Sequence, residues 1–279
     1  MLYFGEALCR YRAHLLLSLL LIGGLYWSIL PAMVNVWIDD PNYSHGFIIP
    51  FISAYAIYRN RDALKRAPVR PQNVGICIIL FGLLLLIAAC LGTEYFTMRS
   101  SLLVLLAGMV LFLFGSEVFR ALLFPLAYLM FMIPLPYIAY DTFAFPLKLL
   151  VATYSVLFLK MMGIIVWREG NIIMFPSTVL EVADACSGIR SLMSLIALAV
   201  AFAYFSQQST LKRVVVIASA VPIALFANGL RVVVTGILAQ HWGARAAEGF
   251  FHEFAGMVVF WLAVVLLIIT GALVRSSKW

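Results

Sequence analysis

Three side chains in this 279-residue chain have the chemistry for covalent acyl transfer: the thiol of Cys186, the guanidinium of Arg231 and the imidazole of His252. As a thiolate, the first can attack a carbonyl. A fixed cation can hold the charge that develops on the carbonyl oxygen, and an imidazole can pass the proton between attacking and leaving groups. Sequence spacing alone does not join them, because 66 positions separate Cys186 from His252. Whatever gathers them must be the elements in between.

Each has a bland reading beside the chemical one. A cysteine in an apolar sequence is usually a small filler, and Cys9, Cys77 and Cys90 are expected to be that. Cys186 stands apart, in Ala183-Asp184-Ala185-Cys186-Ser187-Gly188-Ile189-Arg190. It lies among small and polar residues at a helix start, where free N–H groups and the helix dipole favour a thiolate. Arg231 follows Asn228-Gly229-Leu230 inside an apolar run. It is either an anchor reaching for the membrane surface or a polar group turned into a bundle. Asn228, one turn earlier on the same face, favours the second. His252 precedes Gly256 by one turn, and a glycine there would let another helix come close. His45, in Asn42-Tyr43-Ser44-His45-Gly46, is the competing imidazole, and His241 ranks third. Glu181, Asp184, Arg190, Asn228 and His45 complete the set of supporting or substrate-binding candidates. The stretch 168–184 reads as a solvated loop or as an extended recognition segment, since Ile172, Ile173, Val179, Leu180 and Val182 have strand propensity.

The elements that must position these groups are membrane helices. The chain is 65% hydrophobic and 11% charged, with a mean hydropathy of +1.05, whereas soluble domains carry about 25% charged residues. The expected fold is an all-α, polytopic transmembrane bundle forming a single domain over 1–279. Eight spans are expected: 15–36, 47–58, 74–91, 100–114, 119–136, 189–205, 214–237 and 254–274. A ninth apolar segment, 145–163, carries Lys148, Ser155 and Lys160, and is assigned to the outer interface. Were it to cross from the outside, Lys212 and Arg213 would be forced out as well. Arg10 and Arg12 precede the first apolar run with no small-residue cleavage site after it, so a retained signal anchor is expected.

With eight crossings and both termini inside, the inner loops hold twelve basic residues against three acidic ones, and the rest of the chain holds seven against nine. That bias matches the positive-inside rule and accounts for the net charge of +7 without a nucleic-acid partner. Cys186 then precedes a helix entering from outside, and His252 opens the last span from outside. Arg231 lies roughly 25 Å along its helix, near the outer boundary. The four cysteines show no C-x-x-C and the histidines no H-E-x-x-H, so no metal site and no cofactor are expected.

Taken together, Arg168-Glu169-Gly170-Asn171, Leu180-Glu181-Val182-Ala183, Ala185-Cys186-Ser187-Gly188-Ile189-Arg190-Ser191-Leu192, Asn228-Gly229-Leu230-Arg231-Val232 and His252 with Gly256 resemble the exosortase family. Asn42-Tyr43-Ser44-His45-Gly46-Phe47, leading to Arg59-Asn60-Arg61, resembles its early segment. The resemblance implies a Cys-Arg-His catalytic set at Cys186, Arg231 and His252. It also implies substrates that end in a short Pro-Glu-Pro-type motif, a transmembrane helix and a basic tail. Some relatives carry a further C-terminal domain, which is expected to be absent here. The expected protein is therefore a cysteine protease/transpeptidase of a bacterial inner membrane with its site facing the periplasm. Its expected partners are the bilayer, membrane-anchored proteins bearing the sorting signal, and polysaccharide-export proteins. The rival is a transporter or export-complex subunit for polysaccharide or lipid-linked intermediates, with Arg231 and His252 binding an anionic group. No internal repeat of the transporter kind is found, and the Cys186 motif has no use in that reading.

Overall fold

The computed structural model describes residues 3–176, 179–181, 188–242 and 250–277. The chain forms two compact units, 1–136 and 137–279.

The first unit holds α1 (Phe4–Arg10), α2 (Arg12–Leu25), α3 (Ile29–Asp39), α4 (Ile49–Arg59), α5 (Arg61–Lys65), α6 (Val74–Gly92), α7 (Tyr95–Leu113) and α8 (Ser116–Tyr128). The expected 15–36 span is broken at 26–28, just before Pro31. Proline lacks the N–H an unbroken helix needs there, but it is tolerated in the first turn of a new one. Tyr26 at the break is fully buried and shares a hydrogen bond of 2.5 Å with Ser101 of α7. The α6–α7 hairpin is the most tightly packed pair in this unit. A Cβ on Gly108 would lie 2.8 Å from the Ile79 backbone nitrogen, and one on Gly75 would collide with the Phe112 backbone. Glu94 caps α7 by accepting from the N–H groups of Phe96 and Thr97 at 3.0 and 2.6 Å.

The second unit holds α9 (Tyr137–Met161), β1 (Trp167–Glu169), β2 (Ile172–Met174), β3 (Val179–Glu181), α10 (Gly188–Ser206), α11 (Thr210–Trp242) and α12 (Phe250–Ser276). The strands form one antiparallel sheet in the order β1-β2-β3, with Arg168 opposite Ile173 and Ile173 opposite Leu180. The described part of 168–181 is thus an extended meander rather than a plain loop. Gly170 takes a positive φ of 59° at its first turn, and Arg168 donates to the Gly170 carbonyl at 2.9 Å. Ile173 is fully buried, and it joins α9 and α11 through a core that includes Leu159, Phe175, Val232 and Val233.

Among the described residues, five helices are long and apolar enough to cross a membrane: α6, α7, α9, residues 210–238 of α11 and residues 254–276 of α12. The bent pair α1–α2, with 75° between its parts, makes a sixth if counted as one span. This is a multi-pass membrane protein. Spans expected at 47–58 and 119–136 appear as the shorter helices α4 and α8.

Segment 145–163, expected at the outer interface, has the dimensions of a span instead. It belongs to the 25-residue α9, which is long and apolar enough to span and packs lengthwise on α11. Leu147 shares a cavity with Ala224, the Ser155 hydroxyl donates to the Gly229 carbonyl at 3.4 Å, and Leu159 lies against Gly236. Both numberings rise together over about 18 Å, so the helices run parallel. A helix lying flat on the surface would cross α11 steeply and touch it over a turn or so. The charge objection to a crossing assumed that the segment starts outside, but within this unit it starts toward the Lys212 end of α11. Lys212 is tied there to the end of α12, donating to the carbonyls of Ser277 and Arg275 at 2.7 and 3.4 Å.

Candidate active site

Arg231 sits on α11 at 3% exposure. Leu195 and Ala199 of α10, Ala220, Ala224 and Ala227 of α11, and Ala263 and Leu267 of α12 are all buried in the same apolar core. That run of alanines brings the three helices close. The guanidinium meets α12 at Gly256: a Cβ there would be 3.2 Å from Nη2, 3.3 Å from Cζ and 3.4 Å from Nη1. Near-equal distances to the three atoms mean that the flat face of the guanidinium rests on the glycine. The contact at Gly256 is made by a side chain rather than by the close helix approach expected there: what approaches is a cation. A snorkelling anchor would end in water, so burial to 3% favours the interior reading.

Asn228, one turn before Arg231, is 5% exposed, and its Oδ1 has no hydrogen-bond partner among the described residues. It lines a cavity with Arg231, Gly256, Leu195 and Phe260, and α10, α11 and α12 all contribute to the walls. Thr235, one turn beyond Arg231, is buried to 4% and extends the polar stripe to 228, 231 and 235. Sequence reasoning passed over Thr235, although its helical spacing from Arg231 was visible. It also passed over the pairing of Lys148 with Asp141, 3.2 Å apart on α9.

His252 lies on α12, four residues before Gly256. One helical turn therefore separates the backbone of His252 from the glycine that carries the guanidinium. Cys186, with Asp184, lies outside the described residues, in the link between β3, which ends at Glu181, and α10, which begins at Gly188. Glu181 pairs with Ile172 in the sheet, and Arg190 falls in the first turn of α10. His241 is in the last turn of α11.

His45 belongs to the first unit, in the 3-10 turn Ser44–Phe47. Burial pushes its imidazole below the usual value of 6.5, against backbone hydrogen bonds to Phe131 and Asn42 that favour the charged form. Trp37 backs the same turn: a Cβ on Gly46 would come within 2.5 Å of the Trp37 indole nitrogen, which donates to the Met132 carbonyl at 2.9 Å. The imidazole ties this turn to the one at Leu129–Met132. The other three cysteines, Cys9, Cys77 and Cys90, are free and exposed on helix surfaces rather than buried as fillers.

A membrane helix bundle with an arginine buried between its last helices, and a histidine one turn from the arginine's glycine seat, defines a class of intramembrane polar site. The model of the transmembrane exosortase family (Exosortase_EpsH) matches residues 37–269, and the chain belongs to that family. No curated protein and no solved structure matches it.

Proposed function

We propose that this chain is a membrane-embedded cysteine protease/transpeptidase acting on proteins with a C-terminal sorting signal, in the inner membrane with its site toward the periplasm. Processing of sorting signals within the membrane is what membership of the exosortase family supports. The observation that carries the residue assignment is the buried Arg231 guanidinium resting on Gly256, one turn from His252. A cation fixed in this way, in apolar surroundings, suits a charge that appears only in the transition state.

The Cys186 thiolate attacks the scissile carbonyl carbon, forming a C–S bond and placing negative charge on the oxygen. Arg231 donates to that oxygen. As the C–N bond breaks, His252 protonates the departing amine, leaving a thioester on Cys186. Water or an acceptor nucleophile then attacks the thioester, gives its proton to His252 and frees the thiolate. Arg231 does no proton transfer, since a guanidinium stays charged throughout.

The test is mass-spectrometric mapping of the new C-terminus of a co-expressed reporter ending in a Pro-Glu-Pro-type motif, a transmembrane helix and a basic tail. Cleavage on the N-terminal side of the reporter's membrane helix is expected. Cys186→Ser should abolish it, while Ala at Cys9, Cys77 or Cys90 leaves it intact. Substantial turnover by Cys186→Ser would refute the mechanism.

A further inference from the structure

The reaction above leaves several polar groups of the second unit unused, among them Lys148, Asn228 and Thr235. Lys148 of α9 lines a cavity together with Asn228, walled by Leu147, Val151, Leu192 and Leu225. Its side chain is only 16% exposed, and its ammonium pairs with Asp141 at 3.2 Å. A charged side chain inside a spanning helix, turned into the bundle, is costly enough to imply a use. Asn228 is shared between this cavity and the one that holds Arg231. The two polar groups are therefore neighbours of the same reacting centre.

Hydrogen-bond capacity narrows the ligand. An ammonium has three donors, of which Asp141 takes one, and the buried Asn228 Oδ1 offers an acceptor with no partner among the described residues. Donors beside such an acceptor complement a peptide group, which presents one C=O and one N–H. Asp141 also neutralises the ammonium, so a phosphate or carboxylate gains little here over a neutral dipole. The space is water-sized, about 10 Å³. It accommodates one polar group offered at its mouth rather than a headgroup or a sugar. An extended chain at membrane depth needs such partners, because nothing in lipid satisfies its backbone.

We infer that Lys148 and Asn228 form a subsite that binds the main chain of the polypeptide substrate and holds it extended beside Arg231; this rests on the peptidase reading. Lys148 is a positioning residue in this scheme and takes no part in bond making.

The test uses the same reporter with a photo-crosslinking residue placed just before its membrane helix, trapped on full-length Cys186→Ala protein, alongside processing kinetics in the otherwise unaltered protein. Lys148→Met, the double variant Asp141→Asn/Lys148→Met and Asn228→Leu are each expected to lower the crosslink about tenfold or more. In kinetics they should raise KM while kcat holds, and Lys148→Arg should restore binding. The double variant removes the ion pair without stranding Asp141, and Asn228→Leu leaves no buried charge behind. At least one arm therefore survives if Lys148→Met inserts poorly. Unchanged crosslinking in any well-inserted variant, or a loss of kcat and membrane abundance with KM unmoved, overturns the subsite. A reporter that the unaltered protein neither crosslinks nor cleaves overturns the peptidase reading itself.

Discussion

Gly256 gives Arg231 its seat, so substitutions at either partner should act on the reaction more than on the fold. A Cβ at 256 falls 3.2–3.4 Å from three guanidinium atoms, and Gly256→Ala must shift the cation by a few tenths of an ångström. Processing should fall at normal membrane abundance, and Gly256→Leu should fall much further. Arg231→Lys keeps the charge but loses the planar fork. Activity should drop roughly 100-fold to 1000-fold, the usual cost of losing one oxyanion donor. Near-normal processing by Arg231→Lys in intact membranes would make it a structural residue. His45 predicts a different response. Its pKa is held below 6.5 in the folded state by burial, so the folded form binds fewer protons than the unfolded one between the two values. Stability is therefore complete above about pH 6.5 and declines as pH falls below it. Thermal unfolding of purified protein between pH 8 and 5 should show that decline, and His45→Gln should flatten it. Arg231 and Asn228 were legible in the sequence because a polar residue in a greasy helix has few places to go. Lys148 was legible only as a polar spot on α9, because its partner Asp141 and its neighbour Asn228 become apparent only once α9 lies along α11.

At the scale of elements, α9 carries the largest difference between expectation and structure. Lys148, Ser155 and Lys160 suggest one polar face, and composition cannot say whether such a face meets water or the bundle. In the structure Lys148 and Ser155 turn inward and only Lys160 is exposed. The parallel course of α9 and α11 places Tyr140 toward the Lys212 end and Trp167 beyond the far end. Single cysteines at those positions, in a protein otherwise free of cysteine, should react with a membrane-impermeant reagent from opposite sides. Labelling of both from one side would return α9 to the membrane surface. The spans at 74–91, 100–114, 214–237 and 254–274 were legible because unbroken apolar length is a strong signal. The break at 26–28 was not, since Pro31 is compatible either with a kink or with a new helix start. The meander at 167–181 was half legible: its propensity was visible, but the register was not, because pairing depends on α9 and α11 providing a floor for Ile173.

For the whole molecule, the family match runs over residues 37–269 and so includes parts of both units. The feature with the widest reach is the length of α11. Its 33 residues make a rod of about 50 Å, against a hydrocarbon core of about 30 Å. Lys212 ties the foot of the rod to the end of α12, and Arg231 lies about 28 Å above that foot. On the proposed mechanism the height of the reacting Arg231 is thus set by a helix, with Pro222 between Lys212 and Arg231, rather than by a loop. A bilayer thickened by about 4 Å would submerge Arg231 by most of a helical turn. In liposomes of increasing acyl-chain length, cleavage of the reporter should peak at one thickness and fall on either side, and a flat response would show that the height is set elsewhere. On the proposed reading, a substrate anchored in the same bilayer would be measured as well as read: the lipid would serve as a ruler, and the bond cut would be the one standing at the right distance from it.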